Sequence, residues 1–170
     1  VGESEQYRHF YLFDIGFGKT SAYLQGDLAA DPCWRIVGRD GDLGLTALMD
    51  ILYADDDQDI RDLVSFSFEL DATARVQTVS SGDEALEALR ARSYDAVLLD
   101  VMMPDLDGPG VLTRMKEGLA PETPVIFVTA RALPEERRRY FAMGATDVIT
   151  KPFDPLTLVA KVRSALKRPG

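Results

Sequence analysis

From residue 50 onward the sequence predicts an α/β fold, a doubly wound parallel sheet of five strands. Three observations carry that prediction. Short apolar runs recur at 51–54, 75–79, 96–99, 124–128 and 146–150. Amphipathic stretches lie between them, with apolar residues at helical spacing and enough length for crossover helices. The run at 96–99, AVLL, is apolar throughout, as a central parallel strand covered on both faces would be.

Each element follows in order. The first strand ends in Asp55, Asp56 and Asp57, and a helix follows with Ile60, Leu63, Val64 and Phe68 on one face. After the second strand, Ser81 and Glu84 form a capping-box signature, with Ala85, Leu86 and Leu89 behind it. The third strand ends in Asp100, and a short helix is expected over 110–117. The fourth strand ends in Thr129. Pro134 then opens a helix and Gly144 stops it. The fifth strand runs to Lys151. The last helix opens with Asp154 and Pro155, a cap and a first-turn proline, and turns Val159, Val162 and Leu166 inward.

Composition narrows the chemistry. The 170 residues suit one well-cored domain plus an appendage. A net charge of −9 argues against a general nucleic-acid or anionic-membrane binder, since both need a basic face. No apolar run approaches the roughly 20 residues of a membrane span. One cysteine, Cys33, excludes an internal disulfide and makes the cytoplasm the expected compartment. With one histidine, His9, a His/Cys metal cluster is excluded as well, so a metal would be held by oxygens, as Mg²⁺ or Ca²⁺ is.

In an open parallel sheet, ligands bind at the carboxyl ends of the strands. Those ends carry Asp55 and Asp56, Asp100, Thr129 and Lys151. Two carboxylates about 4 Å apart repel by roughly 4 kcal/mol at an effective dielectric near 20. A divalent cation is the expected resolution, and Mg²⁺ suits one or two carboxylates with waters to spare. A carboxylate beside such a metal can attack a phosphoryl group and become an aspartyl phosphate. The lysine ammonium and the threonine hydroxyl would then stabilise the phosphoryl oxygens.

Four blocks now stand in order: ILYADDD (51–57), LLDVMMPDLDG (98–108), VIFVTA (125–130) and KPF (151–153). Together they resemble the signature blocks of two-component response-regulator receiver domains, the CheY-like superfamily, over roughly residues 50–168. That resemblance implies a flavodoxin-like sheet in the order 2-1-3-4-5. It implies that Asp100 is the phospho-acceptor, with Thr129 and Lys151 holding the phosphoryl group. It further implies Mg²⁺ ligation by Asp56 directly, by Asp55 largely through water, by Asp100, and by the backbone carbonyl of Met102. The Lys151–Pro152 peptide is expected to be cis. A histidine kinase or phosphotransfer protein is the implied donor and a downstream protein the implied target. A homodimer is compatible with the resemblance, whereas direct nucleic-acid binding and membrane attachment are not expected. No output domain is expected after the fifth helix, which leaves either a receiver acting by protein contact or a longer regulator that has been cut.

One position departs from the family pattern. Where many receivers carry an aromatic residue three places before the lysine, this chain has Val148. Readout through the helix-four and strand-five face is therefore expected to differ. A phosphorylation-independent interaction module is the alternative function. An enzyme of the haloacid-dehalogenase type is disfavoured, because the residue two after Asp100 is Met102 rather than an acid.

Plainer readings exist for single residues. Asp55 reads equally as a helix cap, Thr129 alone as a strand-end hydroxyl and Lys151 alone as a solvated charge. Asp57, Asp105 and Asp107 read as cap or turn residues. Arg137, Arg138 and Arg139 read first as a solvated face and second as a docking patch. Asp100 resists such a reading, because a carboxylate ending an apolar strand needs a partner.

Residues 1–49 form an extension of unassigned function. Strands are expected at 10–14 and 20–24 around a turn at 16–18, then loop over 26–44, where Gly and Asp are frequent. Gly18, Lys19 and Thr20 match the end of a phosphate-binding loop, but Phe13 stands where its first glycine is required.

Overall fold

The computed structural model describes residues 34–39 and 42–167. The chain divides between Cys33 and Trp34, and every described residue lies on the C-terminal side. The strands expected at 10–14 and 20–24, and the start of the expected loop, fall outside the described residues.

The first two strands correct the loop expectation. β1 (Trp34–Arg39) pairs antiparallel with β2 (Asp42–Ala47), in a register from Trp34 opposite Ala47 to Arg39 opposite Asp42. Both strands hold β-branched or aromatic residues among their glycines (Trp34, Ile36, Val37 and Thr46), which suits extended backbone.

The remaining elements alternate as the sequence predicts: β3 (Met49–Ala54), α1 (Gln58–Glu69), β4 (Ala74–Val79), α2 (Gly82–Ala91), β5 (Ala96–Asp100), α3 (Gly108–Arg114), β6 (Val125–Thr129), α4 (Pro134–Ala142), β7 (Asp147–Thr150) and α5 (Pro155–Leu166). The five strands from β3 onward form one parallel sheet in the order β4-β3-β5-β6-β7, which is 2-1-3-4-5 within the sheet.

Alternation along the central strands sends side chains into two cores. Ile51, Tyr53, Leu98, Ile126 and Val128 pack with Val64 and Phe68 of α1 and with Leu158 and Val162 of α5. Leu52, Ala54, Val97, Leu99 and Phe127 face the other way, onto Leu86 of α2, Leu112 of α3 and Tyr140 of α4. Every residue of β5 and β6 is buried, which explains why these strands read as unbroken apolar runs. Truncating one of these side chains, as in Leu98→Ala, is expected to cost about 2–5 kcal/mol.

Local capping chemistry sets the helix ends. Asp57, not Asp55, caps α1, its carboxylate accepting the backbone N–H groups of Asp59 and Ile60. Ser81 Oγ accepts the Glu84 N–H of α2, while the Glu84 carboxylate reaches back to Ser80. Asp154 caps α5 ahead of Pro155. Gly144, with φ +96, ends α4. The third helix starts two residues earlier than expected, because the Asp107 side chain accepts the Gly110 N–H with Pro109 in the first turn. It continues past Arg114 as one π-helical turn, Met115–Leu119, closed by the Ala120 N–H bonding the Met115 carbonyl; Gly118, at φ +129, accommodates the break.

Candidate functional site

The carboxyl ends of β3, β5, β6 and β7 bring the predicted residues to one edge of the sheet. Asp55 follows β3 and is fully buried, Asp100 ends β5 with 5% of its surface exposed, and Asp56 is exposed beside them. One carboxylate oxygen from each of Asp55, Asp56 and Asp100 lies within 4.8 Å of the others. The β3–β5 register, with Ala54 opposite Leu99, sets Asp55 level with Asp100.

Lys151 sits across this cluster. Its Nζ donates to Asp55 Oδ2 at 2.5 Å and to Asp100 Oδ1 at 2.7 Å. The lysine backbone is anchored too, because its N–H donates to the Thr129 carbonyl at 2.8 Å. The following Lys151–Pro152 peptide is cis. Three carboxylates against one ammonium leave a formal charge of −2 (three minus one) at this edge. An all-oxygen donor set with that residual charge fits a hard divalent cation.

The second oxygen of each buried acid is held as well. Asp100 Oδ2 accepts the Met102 N–H at 2.8 Å, and Asp55 Oδ1 accepts the Asp57 N–H at 3.0 Å. Met102 thus enters the site through its backbone, its side chain standing 78% exposed. Thr129 ends β6 next to β5 and is buried, with its Oγ1 accepting the Arg131 N–H at 3.2 Å. That bond uses a lone pair and leaves the hydroxyl proton free to be donated.

Electrostatics follow from burial. Desolvation pushes the Asp100 carboxyl above its ordinary range, the neighbouring charge of Asp55 adds to that, and the Lys151 ammonium opposes both. For Lys151, burial disfavours the charged form, but its bonds to Asp100 and Asp55 outweigh burial and hold it above the usual lysine value.

Two features escape a reading of the sequence. Tyr53, within an apolar run, is fully buried and its hydroxyl donates to Asp55 Oδ2. A tyrosine two residues before an acid on a strand, and so pointing along the same face, is the one signal that could have flagged it. The solvated reading of Arg137 also fails. Its guanidinium donates to the Val148 carbonyl at 2.9 Å and pairs with Asp147, tying α4 to β7. Val148 itself is buried beneath α4, in the cluster that holds Tyr140 and Phe127. Among the described residues, no helix is long and apolar enough to cross a membrane.

Comparison with known proteins bears on the whole assembly. Residues 51–163 match the family model of the response regulator receiver domain. The chain is similar to the transcriptional regulatory protein YvrH of Bacillus subtilis, 36% identical over 118 residues, covering 69% of this chain and 49% of the relative. It is equally similar to SrrA of Staphylococcus aureus, 36% identical over 119 residues, covering 70% of this chain and 48% of the relative. Among solved structures, DrrB, a Thermotoga maritima OmpR/PhoB homologue, superposes with a TM-score of 0.62 at 36% identity, covering 71% of this chain and 54% of that one. The chemotaxis response regulator CheY4 of Vibrio cholerae gives 0.65 at 30% identity, covering 70% of this chain and 99% of that one.

The chain therefore spans about half the length of the curated relatives it matches. YvrH and SrrA are transcriptional regulatory proteins, and that overturns the expectation that nucleic acid has no place among the partners. The expectation rested on the net charge of this chain, a property that says nothing about residues a longer relative carries elsewhere. Four ordered blocks, the 2-1-3-4-5 sheet and the family match over residues 51–163 converge: the chain belongs to the response regulator receiver domain family.

Proposed function

We propose that this receiver is a phosphorylation switch in which Asp100 accepts a phosphoryl group from a histidine kinase or phosphotransfer protein. The observation that carries the reading is Asp100 itself. It is a buried carboxylate at the end of a buried strand, facing two further acids and held by Lys151.

Mg²⁺ is the proposed cofactor, with Asp55, Asp56, Asp100 and the Met102 carbonyl as its protein ligands. When bound, it would offset negative charge on the acids and on the incoming phosphoryl oxygens. The chain's own groups do the rest. An oxygen of Asp100 attacks phosphorus, the bond to the donor nitrogen breaks, and its electron pair returns to the donor imidazole. Lys151, already bonded to Asp100, is placed to exchange that contact for a phosphoryl oxygen. Thr129 has a hydroxyl proton to donate to a second oxygen. A solved relative of this chain, the receiver domain of DrrB, is described as BeF3-activated, and beryllofluoride is a tetrahedral stand-in for a phosphoryl group.

The consequence is a shift between two states of the receiver surface, read by a partner. In a protein as long as the curated relatives, that partner would be an output region acting on DNA, as their description as transcriptional regulators supports. Release from Asp100 is hydrolysis of its own modification rather than turnover of a substrate, which keeps the reading distinct from a phosphatase.

Intact-mass measurement after incubation with Mg²⁺ and acetyl phosphate tests the proposal. One phosphoryl adduct is expected, absent from Asp100→Asn and from a Mg²⁺-free control. An adduct that persists in Asp100→Asn would reassign the acceptor. No adduct with any phosphodonor would favour an interaction module that works without phosphate.

A further inference from the structure

The hydroxyl of Tyr53 reaches the acidic cluster from the apolar interior. The ring is fully buried between the sheet and the helices α1 and α5, in the cluster with Ile51, Leu98 and Val128. A buried phenol requires a hydrogen-bond partner. Here that partner is Asp55 Oδ2, the same oxygen that Lys151 Nζ approaches to 2.5 Å. Asp55 Oδ1 is held separately by the Asp57 N–H. Three donors from three places thus fix one carboxylate.

The donors differ in kind. Lys151 also serves Asp100, and in the proposed switch its ammonium turns to a phosphoryl oxygen. The Asp57 N–H belongs to the loop that opens α1. Tyr53 is immobilised by packing on all sides, with the backbone of β3 paired to β4 and β5 on either edge. On Asp55 Oδ2 it is the donor that stays when Lys151 turns away, while the Asp57 N–H holds only Oδ1.

We propose that Tyr53 is a positioning residue for cation binding. Its hydroxyl holds Asp55 in the orientation that lets this acid share a divalent cation with Asp56 and Asp100, independently of Lys151. The proposal rests on the reading that this site binds Mg²⁺. Groups that orient a ligand from behind typically change metal affinity by 10-fold or more when removed.

Tyr53→Phe removes the hydroxyl and keeps the ring, so the core stays filled. The test titrates Mg²⁺ into wild type and Tyr53→Phe and follows both direct binding by calorimetry and the rate of phosphorylation by acetyl phosphate. The expected result is a rise of about tenfold in the Mg²⁺ dissociation constant. The Mg²⁺ concentration for half-maximal phosphorylation should rise in step, while the rate at saturating Mg²⁺ stays within about twofold. An unchanged dissociation constant would overturn the proposal. So would a loss of maximal rate together with thermal stability, which marks general loosening of the core.

A second measurement needs only the wild-type protein and decides the matter if the variant does not fold. With tyrosines carrying ¹³C at Cζ, one of the six tyrosine signals should move on Mg²⁺ addition, saturating with the binding isotherm. If no tyrosine signal moves while Mg²⁺ binds, Tyr53 does not sense the cation and the idea is wrong. Wild type that binds no Mg²⁺ at all would instead remove the underlying reading, and this one with it.

Discussion

Lys151 and Asp55 are 96 residues apart in sequence, yet the lysine ammonium lies 2.5 Å from the aspartate Oδ2. The same Nζ reaches Asp100 at 2.7 Å, so one cation bridges the acid that follows β3 and the acid that ends β5. This bridge sets a positive charge between two buried carboxylates that would otherwise repel.

Replacing Lys151 with Met keeps most of the side-chain volume and removes the charge. Both acids would then face each other and Asp56 unscreened. Removing one partner of a buried pair costs about 3–5 kcal/mol, and the 17% exposure of this lysine puts the expected loss near the lower end. Urea unfolding at neutral pH should show that loss. Millimolar Mg²⁺ should restore more stability to Lys151→Met than to wild type. An equal effect of Mg²⁺ on both proteins would mean that the lysine and the cation do not answer the same charge.

Asp100 carries a folding penalty, and its sign fixes a pH dependence. Burial raises its folded-state pKa above the unfolded value. The folded protein therefore binds this proton more tightly, and stability falls as pH rises from the unfolded pKa through the folded one. Asp100→Asn removes the penalty. The variant should be more stable than wild type at pH 7, with the gap closing as pH falls toward the ordinary aspartate value of about 4. Parallel denaturant curves at several pH values test this, and a gap independent of pH would assign the effect to packing instead.

These residues were legible in the sequence because topology exposes them: a parallel sheet displays whatever ends its strands, and Asp55, Asp56, Asp100, Thr129 and Lys151 all end strands or closely follow them. The sheet was legible for a related reason. Strands buried on both faces leave long apolar runs, and β5 and β6 do so without interruption. The hairpin of β1 and β2 was missed because its glycines and aspartates resemble loop. The Asp40-Gly41 pair between two β-prone runs was the available hairpin signal. Tyr53 and Arg137 were missed for opposite reasons. One is a polar group hidden in an apolar run. The other is a charge in a charged run, and only tertiary structure shows that it faces the Val148 carbonyl.

Asp71 predicts a pH effect of the opposite sign. It follows α1, and its carboxylate accepts the Thr73 N–H at 2.8 Å and the Thr73 hydroxyl at 2.6 Å, with Arg163 of α5 at 3.2 Å. Desolvation alone would raise its pKa, but the Thr73 bonds and the Arg163 charge together lower it. Stability from this group is thus present above the unfolded pKa and lost as pH falls through the folded one. Asp71→Asn should lose up to about 1 kcal/mol at pH 7, discounted because the side chain is a third exposed. As pH falls through the folded-state value, variant and wild type should converge. A difference that persists undiminished in strong acid would show that the amide, rather than the lost charge, is responsible.

Gly108 is where the backbone crowds the site. A Cβ placed there would lie 2.3 Å from the Asp100 carbonyl oxygen and 3.2 Å from the Phe127 ring. The atom that this Cβ meets first is backbone, so no side chain can rotate away to relieve the contact. Its N–H also bonds the Val101 carbonyl, at 3.4 Å, fastening the start of α3 beneath the acceptor strand. Gly108→Ala must therefore push α3 away from β5 or displace the backbone that carries Asp100. Overpacking of this kind costs about 1–3 kcal/mol. Displacement of Asp100 should also slow phosphorylation by acetyl phosphate more than the loss of stability explains. Gly118→Ala is the control, because nothing lies within 4 Å of a Cβ there, and only its φ of +129 disfavours the substitution. It should lower stability by about 1–3 kcal/mol through backbone strain and leave the phosphorylation rate of the folded protein unchanged. Equal rates for Gly108→Ala and wild type would show that the close approach of α3 serves packing alone.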